Sequence, residues 1–374
     1  MTKKKLIIQI LTPVGITLFT LLLLFISWSS PGFAAWYARN IYPIFVHTIG
    51  RFFNIFPFSV FELGLVLIPI GLFIAFVFTI YFFIMYIKKH NLAALQKLIK
   101  TLKITGFTVL CFFSFLFTFF VLNAGINYNR ESFADHVGVA VQNSSVDELI
   151  SLYNILVERA AELSLVVSTD EDGVFIASST GHRTEARAAM KNLHNKYGGL
   201  TSFLPPPRSP VLSRIMSYMR ITGFFSIWTL EAHYNGEMPV ILKPFTMTHE
   251  LAHVAGHMRE DEANFIAYLA SRNSECIDFM YSAVFVGIRY VLSALHRVVS
   301  SETYAELFFM LPDQVRRDMA ANRAFWQQFE GPVAEAANRA NDAYLRANRQ
   351  EDGVQSYGRM IDLLLAYYRM NNML

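Results

Sequence analysis

Three apolar stretches in the first third of the chain limit its architecture before any other feature does. They run from Leu6 to Trp28, from about Val60 to Ile87 and from about Ile104 to Leu122. Each reaches the roughly 20 residues a helix needs to cross the apolar core of a bilayer. The composition agrees: 53% of the 374 residues are hydrophobic, and the charge is concentrated in the remainder. The expected fold is mainly α. A membrane domain, residues 1–123, carries three transmembrane helices (about 6–28, 60–87 and 104–122), and a second domain follows over 124–374. The first run could instead be a signal peptide ending near Gly32-Phe33-Ala34-Ala35. Its apolar length exceeds the roughly 7–15 residues of a signal core, so a retained anchor is expected.

Positive charge sets the expected orientation. Lys3, Lys4 and Lys5 precede the first run, and Lys88, Lys89, Lys97, Lys100 and Lys103 lie between the second and third. The loop between the first two runs has only Arg39 and Arg51. The chain is therefore expected to be a multi-pass protein of the cytoplasmic membrane, with its N-terminus in the cytoplasm and residues after Leu122 outside. The net charge of +3 and the absence of a basic block with interleaved aromatics exclude a nucleic-acid partner. Two cysteines, Cys111 and Cys276, provide neither a thiolate cluster nor an expected disulfide.

The chemistry concentrates in Thr248-His249-Glu250-Leu251-Ala252-His253. Histidines at i and i+4 share one helix face, so both imidazoles can reach one ion. Zinc suits such ligands, and a catalytic site leaves one position open for water. Glu250 is then the expected general base. A His, Glu, His triple at this spacing arises by chance in about 1% of chains this long, so the third ligand decides the matter.

Arg259 occupies the position three residues after Gly256 at which a metzincin places a histidine, and it stays protonated. His257 continues the i, i+4 series, but a turn at Gly256 would carry it off the shared face. Glu260 and Glu262 remain, on a helix expected from about Met258 to Arg272. Ala263, Ala267, Ala270 and Ser271 form a small-residue face that carries Glu260 and Asn264, and small residues allow close helix approach. Glu260 is the preferred ligand, with Asn264 as its supporting partner. Glu262 is the alternative.

His249-Glu250-x-x-His253 followed by Glu260-x-x-x-Asn264 is similar to the gluzincin arrangement. Further segments, Asn123 to Arg130, Thr222 to Glu231, Pro244 to Leu269 and Gly353 to Arg359, resemble the bacterial membrane family catalogued as domain of unknown function 3810. Ala124 stands where that pattern has Trp, and Val254 where it has Gln; neither falls on a proposed ligand. The resemblance implies a membrane-anchored zinc peptidase whose outer domain is mostly helical and zincin-like (α+β), with a small sheet before the metal helix.

Ile221 to Tyr234 is aromatic and β-branched and reads as one or two strands, with a hairpin turn plausible at Asn235-Gly236. Thr229, Leu230, Glu231, Ala232 and His233 are assigned to an edge strand that holds substrate backbone. Ser145-Val146-Asp147-Glu148 is a capping box opening a helix to about Leu163. Pro205 to Pro210 reads as a stiff connector. Cys276 to Val299 is apolar, but Asp278, Arg289 and His296 favour a core helix over a fourth span. The expected activity is zinc-dependent hydrolysis of peptide bonds outside the cytoplasm, with one Zn2+ and with the lipid bilayer and a peptide or protein as partners. Two other readings fit the same residues: an inactive binding or assembly module, and a zinc hydrolase acting on lipid or cell-wall material.

Overall fold

The computed structural model describes residues 3–89, 92–178 and 180–374. The side chains of Lys3, Lys4, Lys5 and Lys89, used above for orientation, lie outside the described part. The fold is mainly helical with one small antiparallel sheet. The first long helix, α1, spans Lys3–Ser29, and α2 spans Pro31–Asn40 with Ser30 as its N-cap. Helix α3 spans Val60–Lys89 and α4 spans Leu92–Phe120. The latter starts well before the expected Ile104, because Leu92 to Lys103 is a run of good helix formers that extends the apolar part. Among the described residues, four helices are long and apolar enough to cross a membrane, by length and composition: Leu11–Ser29, Val60–Lys88, Leu92–Asn129 and Ile277–Leu295.

The apolar windows of these helices differ in what surrounds them. None of the Val60–Lys88 window is buried inside the protein, whereas 67% of the Ile277–Leu295 window is. The latter is the core helix of the second half, and its Asp278, Tyr281 and Ser282 are buried with partners. Helices α1 and α4 pack through small polar residues. Thr17 meets Ser114 at 2.9 Å, Thr20 meets Thr118 at 3.2 Å, and the Ser114 hydroxyl donates to the Pro13 carbonyl at 3.0 Å. Small hydroxyl residues at a helix interface allow close approach and pair across it in an apolar medium.

The remaining elements wrap a main core, with a small separate cluster of Ala124, Ile227 and Met258. Helix α5 is the short Phe133–His136, α6 is Val146–Ser164 with the capping box at Ser145 and Glu148, and α7 is His182–Tyr197. Strands β1 (Gly223–Ser226) and β2 (Glu231–Tyr234) pair antiparallel, with Phe224 opposite His233. The connection is the tight turn Ile227 to Leu230, not Asn235-Gly236; Leu230 takes a φ of +54° there. Helices α8 (Lys243–Val254), α9 (Glu260–Arg272) and α10 (Ile277–Leu295) follow, then α11 (Asp313–Gln327), α12 (Pro332–Ala347) and α13 (Met360–Met370).

One buried joint fastens the sheet to the head of α3. Glu231 accepts from the backbone N–H groups of Val60 (3.1 Å) and Phe61 (3.0 Å), free donors of the first helical turn. The Thr229 hydroxyl donates to the same carboxylate at 2.7 Å, and Arg208 lies 3.5 Å from it. Arg208 also donates to the Phe58 carbonyl. Both members of the Arg208–Glu231 pair are buried, and removing one leaves a buried charge uncompensated, at a cost of about 3–5 kcal/mol. Glu231→Ala is expected to lower the thermal midpoint of the detergent-solubilised protein sharply. An unchanged midpoint would show that the joint does not hold the two parts together.

Candidate metal centre

Helix α8 starts at Lys243-Pro244, where proline has no needed N–H to lose, and Pro244 to Val254 is buried throughout. His249 and His253 stand one turn apart, their rings at right angles and their Nε2 atoms 3.1 Å apart. The helix ends in a Schellman motif. The Gly256 N–H donates to the His253 carbonyl (2.9 Å) and the His257 N–H to the Ala252 carbonyl (3.1 Å). Gly256 has a φ of +89°, and a Cβ on it would meet the Tyr42 ring at 2.9 Å. The turn brings the His257 carbonyl back to accept from His253 Nδ1 at 2.7 Å. That bond fixes the tautomer and leaves Nε2 as the free lone pair.

The same turn delivers Glu260, the first residue of α9. Its Oε2 lies 3.2 Å from His249 Nε2 and 3.4 Å from His253 Nε2. Three donor atoms, all buried, form a nearly equilateral triangle suited to a metal ion. Burial disfavours charge on each group. Even so, the Glu260 carboxylate raises the His253 proton affinity, and His253 holds the Glu260 carboxyl low. Glu250 sits beside the triangle. Burial pushes its carboxyl up to about 8, with His253 opposing and Glu260 adding. Glu250 Oε2 is buried without a hydrogen-bond partner among the described residues, and Glu260 Oε2 has only the two imidazole nitrogens beside it.

Other candidates go elsewhere. Glu262 turns away and caps α5, accepting from the N–H groups of Phe133 (2.5 Å) and Ala134 (3.3 Å). His257 points its Nε2 at the Gly199 carbonyl, 3.2 Å away, outside the triangle. Asn264 donates to the Tyr357 carbonyl (3.2 Å) and the Tyr290 hydroxyl (3.3 Å). Its side chain also hydrogen-bonds His249, and the Tyr357 ring stacks near that imidazole, so Asn264 supports the ligand set directly, as expected.

The five residues Thr229, Leu230, Glu231, Ala232 and His233 are not at an open edge. Strand β2 has β1 on one side and Arg208 on the other, through Arg208 N–H to the Ala232 carbonyl (2.8 Å) and Tyr234 N–H to the Arg208 carbonyl (2.9 Å). Thr229 and Glu231 belong to the α3 joint. His233 pairs with the Ser59 hydroxyl at 2.8 Å, and burial, aided by Arg208, depresses its imidazole to about 3. It is a neutral structural histidine.

Strand β1, not β2, lines the cavity beside the donor residues. Gly223, Phe224 and Phe225 line a cavity of about 1030 Å3 together with His249, Glu250 and Glu260. A Cβ at Gly223 would lie 2.5 Å from Glu250 Oε1, so only glycine lets the strand backbone pass this close to the carboxylate. The far wall is one face of α12, with Ala334, Asn338 and Asn341. Neither wall was assigned from the sequence. A signal existed in Gly223 before two phenylalanines, since a strand glycine marks close backbone approach.

The profile of a family described as a protein of unknown function (DUF3810) matches residues 37–365. The chain belongs to this family. The match takes in the last two long N-terminal helices, the residues that line the cavity and the three donor residues His249, His253 and Glu260. No curated protein and no solved structure matches the chain. Overpacking a site this tight costs about 1–3 kcal/mol. Gly223→Ala is expected to lower the thermal midpoint, while Gly358→Ala, with open space around it, leaves it unchanged. Equal midpoints would mean that β1 does not press on Glu250.

Proposed function

We propose that this protein is a membrane-anchored, zinc-dependent peptidase with a zincin-like catalytic domain. The observation that carries the reading is the donor triangle. A tetrahedral ion with ligands at 2.0–2.1 Å has ligand–ligand edges of about 3.3 Å, and the three separations here are 3.1, 3.2 and 3.4 Å. Two imidazoles and a carboxylate are a hydrolytic zinc set. Buried carboxylate oxygens of Glu250 and Glu260 that meet no donor other than the ligand imidazoles ask for a cation.

When bound, zinc supplies Lewis acidity that polarises a carbonyl and acidifies water. The chain's own residues do the rest. Glu250 is placed to take a proton from the attacking water and return it to the leaving amine. A buried carboxylate of raised proton affinity suits both roles. The unpaired edge of β1 can hold an extended peptide by main-chain hydrogen bonds, next to Glu250. Helices α1, α3 and α4 serve as three membrane spans, with α10 kept in the protein core. The lysines at the end of α3 and in the first turns of α4 support a cytoplasmic placement for those helix ends and an extracytoplasmic one for the site.

Metal analysis of the purified full chain tests the ligand set. One zinc per chain is expected in wild type, none in Glu260→Ala, and a full complement in Glu262→Ala with a lower thermal midpoint. Zinc retained by Glu260→Ala would remove the assignment. In a peptide-library assay, Glu250→Gln is expected to keep its zinc and lose about 10²–10⁴-fold in hydrolysis. Equal cleavage by wild type and variant would overturn the mechanism.

A further inference from the structure

The cavity has one end against the heads of the long apolar helices. Trp228, in its lining, donates from Nε1 to the Leu116 carbonyl of α4 (3.2 Å) and stacks on Phe61 in the first turn of α3. Tyr344, also in the lining, sits edge-on to Phe120 at the end of α4 and hydrogen-bonds Tyr128 at 3.2 Å. Arg349, just beyond α12, lies over Trp28 at the end of α1. The end of α1, the start of α3 and the end of α4 thus all converge on this end of the cavity.

Helix α12 forms the wall from this end outward. From Tyr344 back to Gly331 it covers about 20 Å at 1.5 Å per residue. Arg220 and Glu330, which also line the cavity, form an ion pair across 3.7 Å beside Gly331. The same side of the protein exposes apolar side chains around the head of α3. The Val211 and Leu212 N–H groups donate to Glu62 in its first turn (3.1 and 2.7 Å). Yet Val211 is 91% exposed, Ile215 51% and Ile55, just before α3, 75%. Exposed apolar residues ringing the end of a lipid-facing helix fit the interfacial layer of a bilayer.

We infer that the cavity takes its substrate from the membrane: an extended polypeptide segment directly outside the substrate's own membrane span, entering beside Trp228 and Tyr344. The inference rests on the peptidase reading for the chemistry, but not for the binding. At about 3.3 Å per residue, the wall from Tyr344 to Gly331 accommodates about six extended residues. The bound stretch therefore begins within a few residues of the lipid boundary. The open β1 backbone, with Asn338 and Asn341 opposite, favours a polypeptide over a lipid chain.

The test uses full-length protein in vesicles of phosphatidylethanolamine and phosphatidylglycerol, carrying Glu250→Gln and the photo-crosslinker p-benzoylphenylalanine at the exposed Asn338. It is offered a single-span polypeptide with an unstructured tail, or the same tail without the span. Anchoring raises the local concentration, so at least ~10-fold more capture of the anchored chain is expected, with adducts mapping to the first few residues after the span. Equal capture of both, no capture of either, or a phospholipid adduct in place of polypeptide would overturn the inference. The wild-type protein is given the same anchored chain in parallel. Preferential capture by the variant without cleavage by wild type removes the peptidase reading and leaves the substrate class standing.

Discussion

The hydrogen bond from His253 Nδ1 to the His257 carbonyl closes a turn that any side chain at position 256 would obstruct. Everything in the site follows from that turn. It ends α8 one residue after the second histidine, fixes that imidazole, and restarts the chain so that Glu260 opens α9 facing back toward α8. The turn is held from outside as well. The Tyr42 hydroxyl donates to the Val254 carbonyl at 3.0 Å and Arg130 to the Ala255 carbonyl at 3.2 Å. Both come from segments that leave the long apolar helices, so the site is built jointly by the two halves of the chain. A half-buried arginine and a buried tyrosine on two helix-end carbonyls satisfy acceptors that a helix terminus otherwise leaves bare.

The sheet plays a different part from its position in sequence. Its inner strand is structural, tied to α3 through Glu231 and to the proline-rich connector through Arg208. Its outer strand faces the cavity. The division explains why a strand of four residues contains three buried positions, Glu231, Ala232 and His233, two of them polar. Each polar one has a partner from a distant segment, as burial requires.

Local pattern carried the long helices, the capping box at Ser145, the two histidines and the helix bearing Glu260. These are features of period and spacing, read within a dozen residues. The choice between Glu260 and Glu262 also had a local basis, the small-residue face of α9. The role of residues 229–233 was not legible, because alternation in EAHY cannot say which side of a strand is already paired. That depended on Arg208, some twenty residues earlier, in a stretch that reads only as a connector. The hairpin turn was misplaced for a related reason: Asn-Gly is the stronger local signal, but Leu230 accepts a left-handed φ because tertiary packing buries it completely. The α12 wall carries no chemical motif and becomes visible only once the chain is folded.

Helix α3 has 30 residues, about 45 Å of rod at 1.5 Å per residue, against a bilayer core of about 30 Å. One end is clamped by the Glu231 carboxylate and cannot slide. In the membrane-spanning role proposed for α3, adjustment to lipid thickness is taken up by tilt, or at the lysine-rich end beyond Ile87. In that role the clamp acts as a fixed datum: bilayers of different thickness shift the far terminus while the cavity keeps its place on the head of the helix.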